Sequence, residues 1–288
     1  MDFLQTLASG KTLFFDGAMG SLLAQKGTDM SANNNIIAPE KVAEVHQEYI
    51  AAGSDCIITN TLTLNSIYAA KRGISDSGCD EANRAAARIA LAAAAGKAFV
   101  LGDLGSTGEM LKPYGTGDKA QFFNAFCRQV AALTENKIDG FIIETVFDLA
   151  EAKIILQACR DTSDLPVILS MTFATAAKGG RTIMGNSAVE IAKAALDGGA
   201  VAVGANCGDL TPKEFVPIVK EMLPVGLPII IQPNAGIPRL ENGTTRYDLT
   251  TEEFAAGLLA CHKAGAQLLG GCCGTTPQHI AAIRQLLV

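Results

Sequence analysis

The sequence predicts a single (β/α)₈ barrel domain over residues 1–288. Three observations carry that expectation. Short apolar runs alternate with helical segments eight times, which calls for a parallel sheet covered by helices. No linker, low-complexity tract or charge block interrupts the series. The length of 288 residues suits such a barrel, whose usual size is about 250 residues. An open doubly wound sheet is the rival, but it would show a glycine-rich fingerprint after an early strand. Gly17-Ala18-Met19-Gly20 lacks that spacing.

Taken in order, Leu13–Phe15 is the first strand and ends in Asp16-Gly17-Ala18-Met19-Gly20. A helix from Pro39, with Val42, Val45, Tyr49 and Ile50 on one face, leads to Cys56–Ile58 and the tip Thr59-Asn60-Thr61. The alanine-rich helix Glu81–Ala95 precedes Phe99–Leu101, which ends in Gly102-Asp103. Gln121–Leu133 is helical, followed by Phe141–Ile143 and its tip Glu144-Thr145. Helix Leu149–Cys159 precedes Val167–Ser170, and helix Ser187–Leu196 precedes Val201–Val203, which runs out to Asn206-Cys207-Gly208. Helix Thr211–Met222 leads to Ile229–Ile231 and Gln232-Pro233-Asn234, and helix Thr251–Ala264 to Gln267–Leu269. In a closed barrel the C-terminal ends of all strands share one rim, so these scattered tips are expected to be neighbours.

Composition narrows the function classes. A chain with 49% hydrophobic and 18% charged residues can bury a large core. The net charge of −6 and the lack of a dense Lys/Arg run argue against nucleic acid or an anionic membrane as partner. No secretory signal precedes Leu13, and the longest apolar run, Ile89–Ala95, is too short to span a bilayer. The eight cysteines are not spaced like a secreted disulfide framework. A cytoplasmic location is the expectation.

The chemistry concentrates in Gly270-Gly271-Cys272-Cys273-Gly274-Thr275-Thr276-Pro277. Adjacent cysteines on a strand point to opposite faces, but on a turn both sulfurs can converge. The flanking glycines favour such a turn, and Thr276-Pro277 reads as the N-cap and first position of a following helix. Cys127, Cys159 and Cys261 fall in expected helices, Cys56 in a strand and Cys79 in a loop; each reads as a small buried hydrophobe. Cys207 differs, because it closes the sixth strand on the rim that also carries Cys272 and Cys273. Three thiolates at about 2.3 Å would hold zinc and leave one tetrahedral position open. A vicinal Cys272–Cys273 disulfide is disfavoured by its strained ring.

Together, Asp16-Gly17-Ala18-Met19-Gly20, Thr59-Asn60-Thr61, Glu144-Thr145, Asn206-Cys207, Pro233-Asn234-Ala235-Gly236 and Gly270–Pro277 resemble the homocysteine S-methyltransferase family. Within it, the chain is most similar to the homocysteine-binding module of cobalamin-dependent methionine synthases, from about Leu13 to the C-terminus. Leu62 and Ser106 depart from the family's usual Phe and Pro. The resemblance implies a barrel with Cys207, Cys272 and Cys273 as zinc ligands and homocysteine as substrate. Gly102-Asp103 matches the family only loosely, and Asp103 is not placed in the site.

That chemistry accounts for the residue types. A free thiol of pKa about 8.5 is only a few per cent thiolate at neutral pH, whereas coordination to Zn²⁺ deprotonates it. Methyl transfer is then an in-line displacement dominated by nucleophile generation and positioning, with no general base required. His46 and His262, in helices, and His279, after Pro277, accordingly read as structural. Glu144 is the expected partner of the substrate ammonium, and Gly17 and Ala18 offer backbone N–H groups to its carboxylate. Asp16 either orients that turn or contacts the amino group. Thr59, Asn60 and Asn206 serve as supporting donors or as turn caps. Asn234 or a water fills zinc's fourth position before substrate arrives. The methyl donor is expected to be methylcobalamin or another methyl-corrinoid on a separate protein, since no corrinoid-ligand motif is present. Direct use of S-methylmethionine, a non-catalytic zinc- or thiol-binding subunit, and a phosphate loop at Gly270-Gly271 are the alternatives.

Overall fold

The computed structural model describes residues 2–174, 180–237, 239–241 and 244–288. Eight parallel strands form the barrel wall: β1 (Leu13–Phe14), β2 (Cys56–Ile58), β3 (Phe99–Leu104), β4 (Gly140–Val146), β5 (Val167–Met171), β6 (Ala202–Asn206), β7 (Ile229–Gln232) and β10 (Leu268–Leu269). They pair in the order β1-β10-β7-β6-β5-β4-β3-β2. A parallel bridge between Phe15 and Cys56 joins the two ends. The barrel expected from alternation is therefore the architecture found.

Alternation along each strand separates two cores. Leu13, Phe15, Ile58, Leu101, Ile142, Ile168 and Ile230 fill the barrel interior. Their neighbours, including Phe14, Ile57, Val100, Phe141, Ile143, Leu169, Ile229 and Ile231, pack outward against the helices. Helix α1 (Phe3–Ala8) adds Phe3 and Leu7 to the interior cluster, with Phe3 edge-on to Phe99 at 5.5 Å between ring centroids. The plug thus sits at the end opposite the strand tips.

The long outer helices are α4 (Pro39–Ala51), α6 (Asp76–Ala94), α7 (Lys119–Thr134), α8 (Leu149–Thr162), α9 (Ala188–Asp197), α11 (Thr251–Lys263) and α12 (Pro277–Leu287). Shorter pieces α2 (Met19–Gln25), α3 (Asn34–Ile37) and α5 (Ser66–Ala70) lie in the connections after β1 and β2. Helix α6 begins five residues before the expected Glu81, because Ser75 caps it by accepting the Gly78 N–H at 3.2 Å. Cys79 consequently lies in a helix and not in a loop; its thiol donates to the Leu64 carbonyl at 2.8 Å. The expected helix Thr211–Met222 divides into a 3₁₀ turn, Pro212–Phe215, and α10 (Val216–Met222). Pro217 lacks the N–H needed to continue the earlier turn and takes a first-turn position. An antiparallel hairpin, β8 (Arg239–Glu241) with β9 (Thr244–Arg246), follows β7. No helix of the described residues is long and apolar enough to cross a membrane.

Candidate active site

The plug ends one inward position short of the rim, and there each strand changes chemistry. On β3 the inward series runs Leu101, Asp103; on β4, Ile142, Glu144; on β5, Ile168, Ser170; on β7, Ile230, Gln232. Above this polar layer opens a cleft of about 860 Å³, lined by Asp16, Gly17, Asp103, Glu144, Cys272 and Cys273 among others.

The tip of β7 laces the cysteine loops together. Cys207 N–H donates to the Gln232 carbonyl at 3.1 Å, Cys272 N–H to Pro233 at 2.9 Å, and Ala235 N–H to the Cys273 carbonyl at 3.0 Å. Cys207 adopts φ +56°, in the left-handed region that a side chain enters at some cost, so its direction is imposed by these contacts. The three sulfurs lie within 4.8 Å of one another, with Cys272 Sγ 3.9 Å from Cys273 Sγ. Sulfurs placed tetrahedrally about zinc at 2.3 Å would be roughly 3.8 Å apart, so the cluster fits that ion. Packed so closely, the thiols polarise one another. Hydrogen bonds from Cys207 and Cys272, helped by Tyr247, hold Cys273 down at about 3, while those same contacts and burial push Cys272 well up. Cys207 is pushed up to about 12: its hydrogen bond with Cys272 lowers it, but Cys273 and burial outweigh that. A dication would favour ionisation of all three.

Asn234, 2% exposed, donates through Nδ2 to the Gly208 carbonyl at 2.7 Å. That bond fixes its amide and leaves Oδ1 buried without a partner among the described residues. Tyr247, just past β9, packs its ring against Gly274, where a Cβ would strike it.

Glu144 sits at an irregularity: the register of β4 against β5 shifts between Ile143 and Val146. Thr145 there adopts φ +57°, a conformation costing a β-branched residue on the order of 1–3 kcal/mol. Asn206 offsets this cost. Its Oδ1 accepts the Thr145 N–H at 3.1 Å and its Nδ2 donates to the Thr145 hydroxyl at 2.7 Å. The Ser170 hydroxyl completes its bonding at 3.0 Å, and its Nδ2 lies 3.9 Å from Cys272 Sγ. Asn206 thus holds the bulge that aims Glu144, from a fully buried position behind the cysteines. Burial, followed by the nearby Cys273 charge, raises Glu144 to about 7, while Gln232 Nε2, 3.4 Å from its Oε2, opposes the shift.

The Asp16–Gly20 turn lies across the cleft, tied to the cysteine loop by Thr275 and Tyr49. Ala18 N–H donates to Thr275 Oγ1 at 3.1 Å, and the Thr275 hydroxyl donates to the Cys272 carbonyl at 2.7 Å. Tyr49 Oη meets the carbonyls of Ala18 and Thr275, both at 3.1 Å. Only glycine fits at position 17, where a Cβ would collide with Thr275 Oγ1 and lie 2.8 Å from Tyr49 Oη. Ala18 N–H, expected from the sequence to meet the substrate carboxylate, is thus engaged by Thr275 in this structure. Asp16 Oδ2 accepts the Ile58 N–H at 2.9 Å, which ties this carboxylate to β2. Thr59 and Asn60 also line the cleft, yet both side chains are engaged within the protein. The Thr59 hydroxyl lies 2.7 Å from that of Thr61 and accepts the Asp103 N–H at 3.0 Å; Asn60 Nδ2 donates to Asn35 at 3.3 Å.

Asp103 and Gln232 line the cleft as well, although neither was placed in the site from sequence. The available signal was parity, as each follows an inward apolar residue by two. His46, fully buried on α4, is held down at about 4 by desolvation, and His279 caps α12 by accepting the Thr276 N–H at 3.1 Å. Neither lines the cleft.

Residues 13–287 match the sequence model of a family described as homocysteine S-methyltransferase. Among solved structures, the chain is similar to the homocysteine methyltransferase MmuM from Escherichia coli. In its metallated form the identity is 22%, the coverage 98% of each chain and the TM-score 0.81. In its oxidized form the identity is again 22%, with 98% of this chain and 99% of that one covered and a TM-score of 0.82. The dihydrodipicolinate synthase DapA-2 from Bacillus anthracis shares the barrel more distantly, at 12% identity, 96% and 74% coverage and a TM-score of 0.53.

Proposed function

The chain belongs to the homocysteine S-methyltransferase family, and from that premise we propose that residues 1–288 form a homocysteine-binding domain that methylates the substrate thiol to give methionine. The observation that carries this reading is the convergence of Cys207, Cys272 and Cys273 at one wall of a cleft whose floor is acidic. Bound zinc would supply the Lewis acidity that turns a thiol into a thiolate at neutral pH. The chain's own residues do the rest. Cys207, Cys272 and Cys273 provide the anionic donor set, and the β7 tip fixes its geometry. Glu144, aimed by Asn206, offers its carboxylate to the substrate ammonium. Asp16 adds negative charge, and the turn at Gly17 brings backbone close to the substrate's carboxylate end. Thr275 and Tyr49 hold that turn at a set distance from the sulfurs, so that the substrate's two ends and its thiol are positioned together.

Asn234 is the proposed fourth donor before substrate arrives, with water as the competitor. Its buried, unpartnered Oδ1 beside the cysteine loops supports this. Zinc-edge X-ray absorption should then differ between the resting parent and Asn234→Ala, and should show sulfur replacing oxygen when homocysteine is added to the parent. Identical resting spectra would assign the position to water; four sulfurs before substrate is added would remove the open site altogether.

For the donor, the reading is a methyl-corrinoid carried by a separate protein. Exposed apolar side chains gather on the connections that follow the strands: Met30, Ile36, Ile37, Met110, Tyr114, Ile183 and Ile237. Such a rim suits the docking of a protein carrier. Tyr247 is the only aromatic residue among the described residues lining the cleft, whereas a small sulfonium is best held by several aromatic faces. Methyl transfer to homocysteine from free methylcobalamin, a methylated corrinoid protein and S-methylmethionine tests the assignment. The corrinoid donors are expected to support turnover, the protein-bound one fastest. Methionine formed from S-methylmethionine alone would move the chain to the sulfonium-using branch.

A further inference from the structure

The cysteine sulfurs that face the cleft each meet a hydrogen-bond donor from elsewhere in the chain. Of the clustered cysteines, Cys272 and Cys273 line the cleft, and Cys207 is absent from its described lining. Asn206 Nδ2 lies 3.9 Å from Cys272 Sγ; one of its amide hydrogens goes to the Thr145 hydroxyl, which leaves the other for the sulfur. The Tyr247 hydroxyl donates to Cys273. Its surroundings hold that tyrosine in place. The ring lies against Gly274, Leu249 N–H donates to the Ala235 carbonyl at 3.1 Å, and Asp248 pairs with Arg239 of β8 at 3.1 Å. The side chain offered to the open coordination position is of the opposite kind. Asn234 has its Nδ2 on the Gly208 carbonyl and keeps Oδ1, an acceptor, without a partner among the described residues.

We propose that Tyr247 is a specificity residue that shields Cys273 from methylation, so that the methyl group passes to the substrate sulfur and not to the protein's own ligand. This rests on the zinc and homocysteine reading above. In such a site the ligand thiolates and the substrate thiolate share one ion, and each is a nucleophile. A methyl donor entering the cleft meets Cys272 and Cys273 as well as the substrate. A hydrogen bond donated to a thiolate draws on the lone pair that would attack carbon, and nucleophilicity falls as the sulfur becomes less basic. A sulfur arriving beside Asn234 Oδ1 meets an acceptor instead, which leaves its lone pairs free. Methylation of Cys273 would form an S–CH3 bond, break the donor's bond to that carbon and release the leaving group with its electron pair. The product is a neutral thioether, so the donor set would lose an anionic ligand. Asn206 meets Cys272 in the same way but also holds the β4 bulge, so Tyr247 is where shielding separates from structure.

The test treats the zinc-loaded full chain with methyl iodide, with and without homocysteine. Peptide mass spectrometry reads methylation at each cysteine, and zinc content is measured on the same samples. Tyr247→Phe keeps the ring against Gly274 and removes only the hydroxyl. It should methylate Cys273 about three- to tenfold faster than the parent, with Cys272 unchanged as the internal reference. With homocysteine present, the parent should place the methyl on the substrate, while the variant diverts a measurable share to Cys273 and releases zinc as it does so. An unchanged Cys273 rate, an equal rise at all the clustered cysteines, or zinc lost before methyl iodide is added would overturn the shielding. A parent that binds zinc and transfers no methyl to homocysteine, with the bias at Cys273 intact, would overturn the assigned function and leave the shielding. A parent that binds no zinc would overturn both.

Discussion

Cys272→Ser and Cys273→Ser are each expected to lose stoichiometric zinc and all measurable methyl transfer while the barrel stays folded. A serine hydroxyl remains protonated at neutral pH and is a poor donor, so each variant keeps two of the three anionic ligands. The lost charge also removes the electron density that would keep the substrate sulfur nucleophilic. The fold should survive, because the plug from Leu13 to Leu268 and the layer beneath the helices are built without the cysteine loops. The two loops are also anchored by backbone bonds to β7, which a Cys→Ser change leaves in place. Metal analysis, with circular dichroism on the same samples, measures both halves of this expectation. Full zinc occupancy in both variants would remove these residues from the ligand set.

The sequence was legible where local pattern and chain order carry the information. The apolar runs that become β2 and β7 were found almost to the residue, and the three cysteines followed from their common position at strand tips. The strand ends were harder. The tips of β3 and β4, Gly102-Asp103 and Glu144-Thr145, resemble loops because their inward residues turn polar above the plug, yet the ladder continues through Gly102-Asp103 and shifts register at Glu144-Thr145. Asp103 stays out of the site read from sequence because Gly102-Asp103 matches the family only loosely, and parity along β3 was not used to place it. The role of Asn206 was hidden differently, since it depends on a bond to Thr145, 61 residues away, at a bulge that nothing local announces. Thr275 and Tyr49 join segments 226 residues apart, and only the closed barrel brings them together. The hairpin after β7 is written in two three-residue strands, Arg-Leu-Glu and Thr-Thr-Arg, with Leu240 their one apolar residue, too short a pattern for periodicity to register.

Glu144→Gln is expected to weaken homocysteine binding about tenfold to a hundredfold with little change in zinc affinity. The replacement keeps the shape of the side chain and its contact with Gln232, and removes the charge that an ammonium would meet. A hydrogen bond to a charged group contributes about 1.5–3 kcal/mol, which sets that range. Zinc should be spared because Glu144 is not one of the clustered ligands, and removing a negative charge near Cys273 only lowers the repulsion the sulfurs experience. The bulge should persist as well, since Asn206 bonds to Thr145 and not to the carboxylate. Loss of affinity should therefore appear without loss of metal, a separation that a general disturbance of the site would not produce. Calorimetric titration of homocysteine into the zinc-loaded variant decides the matter: an affinity within about twofold of the parent would place the substrate ammonium elsewhere, and a parallel loss of zinc would show that the acid supports the metal site instead.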